Sequence, residues 1–337
     1  MKSFRKTVTT TGIGSVMAAI MASAPAHAYK VNDKLEIGAK IFANVVSVDG
    51  NSTAMEDDRK SGFHFDRTYF EARYHADASN MVRLTLDQKS ADGNVFVKYA
   101  YWQHSLANGI KFKVGQNHTP LVDYLQTELW GHRYVAKTFT DEIKAQSSSD
   151  LGVSVLGGIG GNVDYYISLM NGEGYTNTPD GAGYAFMGRL EYHAQSLHVG
   201  LFGHSETDRG GEKDYDPTRT VLYAWWRNDL FQVGGQYLMA DDGDAARHFN
   251  SAKGFNVVAN VALSPMGSKA RAFVRYDSVE NDDSAVNSYK GERLFIVGVE
   301  SEFAHGIKLS LDYQSKDPRT PDTDWVNTIG VHGQFKF

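Results

Sequence analysis

The chain has 337 residues, among them 33 Gly, 18 Tyr and 18 Phe but only 7 Pro and no Cys. The absence of cysteine excludes disulfides, thiolate metal sites, cysteine-held iron–sulfur clusters and attached c-type haem. The formal net charge is −6, and about −9 without the basic leader residues Lys2, Arg5 and Lys6, which argues against a nucleic-acid partner.

Residues 1–28 are typical of a cleaved secretory signal peptide. The basic start is followed by a run of small and apolar residues over 12–22, and Ala26–Ala28 has the small-x-small pattern of a signal-peptidase site. A membrane anchor is disfavoured because the apolar run is about half of the roughly 20 residues that a spanning helix needs. We expect a secreted chain that begins at Tyr29, with residues 29–337 forming one domain.

Sixteen later segments alternate between apolar and polar residues with a period of two, as strands do. In the first, 35–45, the odd positions are apolar, while Glu36, Lys40 and Asn44 occupy even ones. No segment approaches the 18 unbroken apolar residues of a membrane helix. An even number of strands with many Gly and aromatic residues favours an all-β, transmembrane antiparallel β-barrel of 16 strands. The other segments are 63–74, 81–87, 95–104, 110–116, 150–156, 163–171, 184–193, 197–204, 219–227, 230–238, 254–263, 269–277, 293–303, 307–315 and 326–337.

The connections between these segments alternate in length. Even-numbered strands are followed by short turns such as "AHG", and odd-numbered strands by longer charged loops such as "SVENDDSAVNSYKGE". Short periplasmic turns and long extracellular loops are typical of bacterial outer-membrane barrels. The last strand, 326–337, is predicted to pair with the first, so that no strand edge is left unpaired in lipid. The alternative is the terminal strand of a periplasmic sandwich.

Alternation also predicts which side chains face the lumen, because lipid-facing positions must be apolar. The basic residues assigned inward on strands 2 to 5 are Arg67, Arg73, Arg83, Lys98, Lys111 and Lys113, and strand 13 adds Arg271 and Arg275. Glu71 and Asp87 accompany the first group. A basic wall in a narrow passage favours anions. The alternative is a lumen with mixed charges that serve only to hold water.

Aromatic residues near the strand ends are predicted to form the girdles at the two membrane interfaces. These are Tyr99, Tyr101, Tyr165, Tyr192, Trp225, Tyr276 and Tyr313. In 219–227 both faces are apolar or aromatic, so the inward and outward positions of that strand stay open.

Five stretches resemble, in order, the Gram-negative porins of the phosphate-selective O/P type: "FDRTYFEARY" (65–74), "VKYAYW" (97–102), "KVGQNHTPL" (113–121), "SDLGVSVLGG" (149–158) and "YYISLMNGEGY" (165–175). The resemblance implies passive diffusion of small hydrophilic solutes, often anions, through a trimer of barrels. It transfers no site residue, since the arginine ladder and lysine cluster of that family match no positions here one by one. The terminal Phe337 resembles the signal by which such barrels reach their insertion machinery.

The third outer connection, 118–149, is roughly twice as long as any other, and loops beyond about 15 residues are usually functional. In sixteen-stranded porins the third loop folds inward, so by resemblance we predict a constriction loop. The alternative is a loop that only covers the mouth. Its candidate residues are His118, Asp123, Glu128, Arg133, Lys137, Asp141 and Glu142.

No enzyme, cofactor or metal site is expected. The chain has no H-E-x-x-H and no G-x-S-x-G motif. The acidic runs at 56–58, 241–244 and 281–283 have the oxygen ligands that suit Ca²⁺ or Mg²⁺ bridging lipopolysaccharide, but none has the spacing of a complete calcium loop. Solvated charge is the favoured interpretation.

The sequence therefore predicts an outer-membrane diffusion channel for small hydrophilic solutes, with a preference for anions such as phosphate. We expect it to contact lipid and lipopolysaccharide and to assemble as a homotrimer. A different class of function remains open, in which the barrel is a structural sleeve, a receptor or an adhesion surface.

Overall fold

The computed structural model describes residues 29–50, 60–89, 93–178, 183–207, 209, 215–243, 248–263, 269–282, 289–304, 306–319 and 325–337. The predicted signal peptide and the acidic run at 56–58 lie outside these residues, as do Asp244 and Asp283 of the other two acidic runs. Within them, no helix combines the length and the apolar character that crossing a membrane requires.

Sixteen antiparallel strands form a closed barrel. Each strand pairs with the next in the chain, and the last pairs with the first, with Val331 opposite Val45. A two-residue strand, Tyr29–Lys30, pairs with the beginning of the first of these strands. The sequence prediction of sixteen strands is confirmed. Their bounds are β1 Leu35–Asp49, β2 Gly62–His75, β3 Asn80–Lys89, β4 Val95–Ser105, β5 Lys111–His118, β6 Ser149–Ile159, β7 Val163–Met170, β8 Ala185–Ala194, β9 Leu197–Glu206, β10 Thr218–Arg227, β11 Phe231–Asp241, β12 Ala252–Ala262, β13 Ala270–Glu280, β14 Gly291–Ala304, β15 Ile307–Asp317 and β16 Val326–Lys336.

The alternation of the sequence separates the two faces of the barrel. On β8, Phe186, Leu190 and Tyr192 are exposed on the outer surface, while Arg189 and Glu191 between them are buried inside. Closure leaves no unpaired strand edge, whose backbone groups would each cost several kcal/mol in hydrocarbon.

A β-bulge in β2 changes the parity of that strand. The register shifts between Phe42 and Ala43 of β1, which pair with Arg67 and Phe65, so Asp66 is the extra residue. Phe65 therefore points outward, whereas Arg67, two positions later, turns inward. A bulge is one extra residue in one strand, and it moves the residues beyond it to the other face.

Three of the residues predicted for the aromatic girdles lie inside the barrel instead. Tyr99, Tyr101 and Trp225 are buried at 3%, 5% and 1% exposure. In β10, Trp225 packs against Tyr223 on the interior, and Trp226 occupies the other face beside Phe231. Tyr99 and Tyr101 turn inward because β4 has a bulge: Thr85 and Leu86 of β3 pair with Tyr99 and Val97, so Lys98 is the extra residue. The prediction was wrong for Trp225 because an inward aromatic residue gives the same alternation as an outward one.

The hydrophobic core lies inside the barrel, between one wall and the connection 119–148. This connection contains the helical turn α1, Val122–Leu125, a π-helical turn, Gln126–Trp130, and the helical turn α2, Phe139–Glu142. We call residues 119–148 the inner loop. Its apolar side chains are buried against inward-facing residues of β7 to β14. The loop contributes Leu121, Leu125, Leu129, Trp130 and Phe139, and the wall contributes Met170, Met187, Phe202, Val221, Leu238, Val258, Phe273 and Ile296.

This packing decides where water can pass. Fully burying one large apolar side chain stabilises a structure by about 1.5–3 kcal/mol, and the inner loop buries at least five. The loop is therefore fixed to β7–β14. The space left beside it lies towards β1–β5 and β16, and at the long-loop end it also reaches β9 and β10.

Candidate functional site

Polar contacts hold the inner loop to the same wall of the barrel as well. His132 lies 3.0 Å from Glu300 and 2.7 Å from Asn260, and the Tyr134 hydroxyl donates to Glu300 at 2.8 Å. Further along, the Lys316 ammonium is 3.2 Å from Glu142. These contacts, together with the apolar core, place the loop across the interior of the barrel.

Arg275 has a different role from the one expected from the sequence. It faces inward from β13, but the inner loop covers it completely, with 0% side-chain exposure. Its guanidinium pairs with Asp277, donates to the backbone oxygen of Lys137 and lies over the ring of Trp130. The expectation that Arg275 lines the open pore is therefore wrong, because its donors hold the loop.

The Glu142 carboxylate of the inner loop lies among basic side chains. Burial by itself raises the pKa of its carboxyl, but the positive charges of Lys316, Lys137 and Arg275 outweigh burial and lower the pKa to about 2, from a usual 4.5. A depressed folded-state pKa means that this contact stabilises the structure fully above pH 4.5 and is lost as the pH falls through about 2.

We predict that Glu142→Gln makes the inner loop more mobile at neutral pH and so increases the noise of the open-channel current. The amide keeps the shape of the side chain but removes the charge that Lys316 contacts. The open-channel current noise of single barrels, recorded at pH 7, should rise in the variant and should rise in the wild type only near pH 2 to 3. A variant as quiet as the wild type at pH 7 would show that this contact does not hold the loop.

Two cavities lie on the open side of the barrel. One, of about 320 Å³, is lined by residues of the long-loop end, such as Thr176 and Arg209. The other, of about 450 Å³, reaches the short-turn end at Arg73 and Lys336. Both fall in the size range of small-molecule sites, about 300–1,000 Å³. We call them the outer and the inner cavity.

The two cavities share three lining residues, namely Tyr69 on β2, Lys98 on β4 and Arg133 on the inner loop. These three side chains therefore lie where the two cavities adjoin. We call Tyr69, Lys98 and Arg133 the constriction. The wall and the loop each supply one positive charge to it.

Positive charge predominates in both cavities. The outer cavity has eight basic residues against Asp141, Glu173 and Asp242, and the inner cavity has six against Glu71 and Asp123. The outer set is Arg67, Lys89, Lys98, Arg133, Lys137, Lys144, Arg209 and Arg219, and the inner set is Lys40, Arg73, Arg83, Lys98, Arg133 and Lys336. The chain is acidic overall, so this excess of basic side chains is a local property of the passage.

The basic residues predicted on β2 and β3 are partly paired with acids. Arg67 lies 2.7 Å from Asp87, and Arg73 lies 2.6 Å from Glu71, which also pairs with Arg83. These pairs fix the guanidinium groups at the wall. The arginines still outnumber their partners, so the wall keeps a positive balance.

Lys98 is positioned by the inner loop. It lies 3.6 Å from Asp123 and within 5.3 Å of the ring centres of Tyr69 and Tyr99. Burial raises the pKa of the Asp123 carboxyl, but Lys98 and His118 outweigh burial, so the pKa lies below its usual value. Asp123 is therefore an anion that orients Lys98 and accepts a hydrogen bond from the hydroxyl of Tyr99.

Three other predicted basic residues lie away from the constriction. Lys113 is buried between Tyr101 and Tyr166, with its ammonium 5.3 and 5.1 Å from the ring centres. Lys111 and Arg271 are exposed near the short-turn ends of β5 and β13.

The predicted loop residues divide into two groups. Arg133 lines both cavities, Lys137 and Asp141 line the outer one, and His118 and Asp123 line the inner one. His118 stacks on Tyr99 with ring centres 4.0 Å apart. Glu128 and Glu142 face the wall, where they contact Arg227 at 2.9 Å and Lys316 at 3.2 Å.

Sequence reasoning missed Lys40, Lys89 and Lys336, which line the cavities from β1, β3 and β16. The signal for Lys40 was present, since it occupies a polar position of the first alternating segment. Lys336 stood among the polar positions of the last strand. Arg209 and Arg219 were not identified because no pattern relates a loop residue or a strand end to the passage.

Comparison with solved structures identifies the fold. The anion-selective porin from Comamonas acidovorans is similar with a TM-score of 0.67 and 12% identity, over 90% of this chain and 99% of that one. OmpF of Salmonella typhi, in complex with daunomycin, gives 0.66 and 13%, over 89% and 97%. OmpT of Vibrio cholerae in its trimer form gives 0.60 and 12%, over 90% and 99%.

The chain has the fold of the sixteen-stranded porins. No protein-family model matches it, and no curated protein matches its sequence. At these identities the similarity establishes the porin fold and leaves the solute and the residues of the passage to be argued from the structure itself.

Proposed function

We propose that this barrel is a passive outer-membrane diffusion channel for small hydrophilic solutes and that it favours anions. The observation that carries the proposal is the constriction, where two basic cavities meet at Tyr69, Lys98 and Arg133. Steric selection comes from the inner loop, and the charge preference comes from the side chains that face it. No energy source is needed.

The physical basis is the sign of the wall in a narrow passage. Rings of Arg and Lys favour anions and phosphate, and low-dielectric walls concentrate their field on the solute. The screening length of salt is about 8–10 Å at 0.10–0.15 M. This is longer than the distance between a passing ion and the side chains of the constriction, so salt screens their charge only in part. The anion-selective porin of Comamonas acidovorans, which has the same fold, supports this proposal. Phosphate is the anion for which the sequence resemblance argues.

The same proposal includes the surroundings of the barrel. Exposed apolar side chains on the outer surface suit lipid, and the long loops suit contact with lipopolysaccharide. Delivery by the barrel-insertion machinery and assembly as a homotrimer extend the proposal, and the trimer form of Vibrio cholerae OmpT supports the assembly. Secretion through a cleaved signal peptide stays a prediction.

The alternative function, a sleeve around a partner protein, needs a wide lumen. The inner loop packs inside the barrel, and the cavities beside it hold about 320 and 450 Å³. Such volumes admit small solutes and exclude a folded partner.

Planar-bilayer recording of the purified protein tests the proposal. We expect stable ohmic conductance in KCl, and we expect added phosphate to reduce the chloride current more than an equal concentration of a neutral sugar does. Phosphate should act in the millimolar range, because the basic residues form an open passage with no closed pocket. Bilayers that show no conductance after insertion would favour the sleeve or adhesion function. Equal effects of phosphate and sugar on the chloride current would contradict a preference for phosphate.

A further inference from the structure

The short-turn end of β7, β8 and β9 brings two histidines and two carboxylates together. His193 on β8 is directly opposite His198 on β9, across a turn formed by Gln195 and Ser196. Glu191 precedes His193 by two residues and therefore shares its inward face. Asp164 on β7 pairs in register with Glu191. None of these residues contributes to the constriction.

The donor atoms of this cluster are close to one another. One nitrogen of each imidazole and one carboxylate oxygen of Glu191 all lie within 4.8 Å of each other. His198 Nδ1 is 2.8 Å from Glu191 Oε1, and His193 Nδ1 is 3.4 Å from Asp164 Oδ2. Tetrahedral zinc with bonds of about 2.0–2.1 Å holds its ligands roughly 3.4 Å apart. The donor atoms of His193, His198 and Glu191, at most 4.8 Å apart, are within about 1.5 Å of that spacing.

We propose that His193, His198 and Glu191, with Asp164 as a fourth donor, bind one Zn²⁺ ion at the short-turn mouth of the barrel. Two imidazole nitrogens and two carboxylate oxygens form a donor set that suits Zn²⁺. Both imidazoles are partly exposed, at 29% and 16%, so the ion can enter from water. The buried Glu191 carboxylate, with 1% exposure, provides the fixed side of the site.

Neighbouring residues orient the ligands, as metal sites require. The Tyr124 and Tyr223 hydroxyls donate to Glu191 at 2.5 and 3.0 Å. The ring of His198 lies parallel to that of Trp225, with centres 4.7 Å apart. Because Tyr124 belongs to α1 of the inner loop, a metal held by Glu191 would also fix one attachment point of that loop. The inference is independent of which solute the channel passes.

Calorimetric titration of the folded, untagged barrel with ZnCl₂ tests the site. We expect one ion per chain, and at least tenfold weaker binding in His193→Gln and in His198→Gln. A titration that is the same in both variants and in the wild type, or that shows no binding at all, would overturn the proposal.

A matched control lies on the same rim, where His75 is 3.9 Å from Glu36 in a pair with a single imidazole. His75→Gln should bind Zn²⁺ as the wild type does. Zn²⁺ should also change the fluorescence of Trp225, which stacks on His198, and this change should be absent from His198→Gln. Circular dichroism of each variant checks that the barrel has folded, so weaker binding in a folded variant reports the site.

Discussion

Replacing Arg133 by Glu and Lys98 by Gln in one variant is expected to shift the zero-current potential in a KCl gradient from an anion preference to a cation preference. These are the two charged side chains shared by the outer and inner cavities. The double change removes three units of positive charge from the constriction. Gln is chosen at position 98 because a second carboxylate there would face Asp123, which now lies 3.6 Å from the Lys98 ammonium.

The size of the effect follows from the distance at which an ion passes these groups. A unit charge at 4 Å contributes about 1 kcal/mol in water and about 4 kcal/mol at the effective dielectric constant of a protein surface. Since about 1.4 kcal/mol corresponds to a factor of ten, we expect the anion-to-cation permeability ratio to fall at least tenfold. Lys111→Glu is the control, because Lys111 is exposed at the short-turn end of β5, and it should change the ratio only slightly. Equal effects of the two variants would place the selectivity outside the constriction.

Truncating Phe139 to Ala is expected to loosen the inner loop and widen the passage. Phe139 is fully buried in the core between the loop and the wall, beside Gly254 of β12. Deleting a buried phenylalanine side chain typically costs about 3–5 kcal/mol. Phe139 belongs to the inner loop and takes no part in strand pairing. Its loss should therefore weaken the packing of the loop on the wall and leave the barrel intact. Single-channel conductance should rise and its fluctuations should increase.

The matched control for Phe139→Ala is Phe186→Ala on β8, which removes the same group from the outer surface, where Phe186 is 56% exposed. It should leave the conductance unchanged. If Phe139→Ala also conducts and fluctuates as the wild type does, apolar packing does not set the width of the passage.

The strands were predictable because their signal is local. In 35–45 the apolar residues occupy odd positions, and β1 has that alternation. Pairing of β16 with β1 followed from the cost of an open edge in lipid. Arg67, Arg83 and Lys98 were assigned to the lumen by the same alternation, and they line the cavities.

The residues on which the inner loop packs could not be predicted from the alternation of apolar and polar residues. Its length suggested an inward fold, but alternation treats an apolar residue that faces the loop and one that faces lipid alike. Phe202 and Leu238 are inward and buried beneath the loop, although apolar residues were expected outside. The same limitation explains Trp225, and Arg275 was misassigned because a sequence does not show which inward residues the loop covers.

The constriction also depends on contacts between distant parts of the chain. Arg133 meets Lys98 and Tyr69 only after the loop has packed on β7–β14. The basic side chains of the loop and of strands 2 to 5 suggested an anion preference. The arrangement of Tyr69, Lys98 and Arg133 became visible only in the folded structure.

The reversal potential of the wild-type barrel reports whether its passage favours anions. With a tenfold KCl gradient across a bilayer that contains the wild-type barrel, K⁺ and Cl⁻ have nearly equal mobility in water, so any potential at zero current reports the charge of the passage. We expect the sign that corresponds to faster chloride movement, with a value that declines as the salt concentration rises. A potential of zero, or of the sign that corresponds to faster potassium movement, would contradict it.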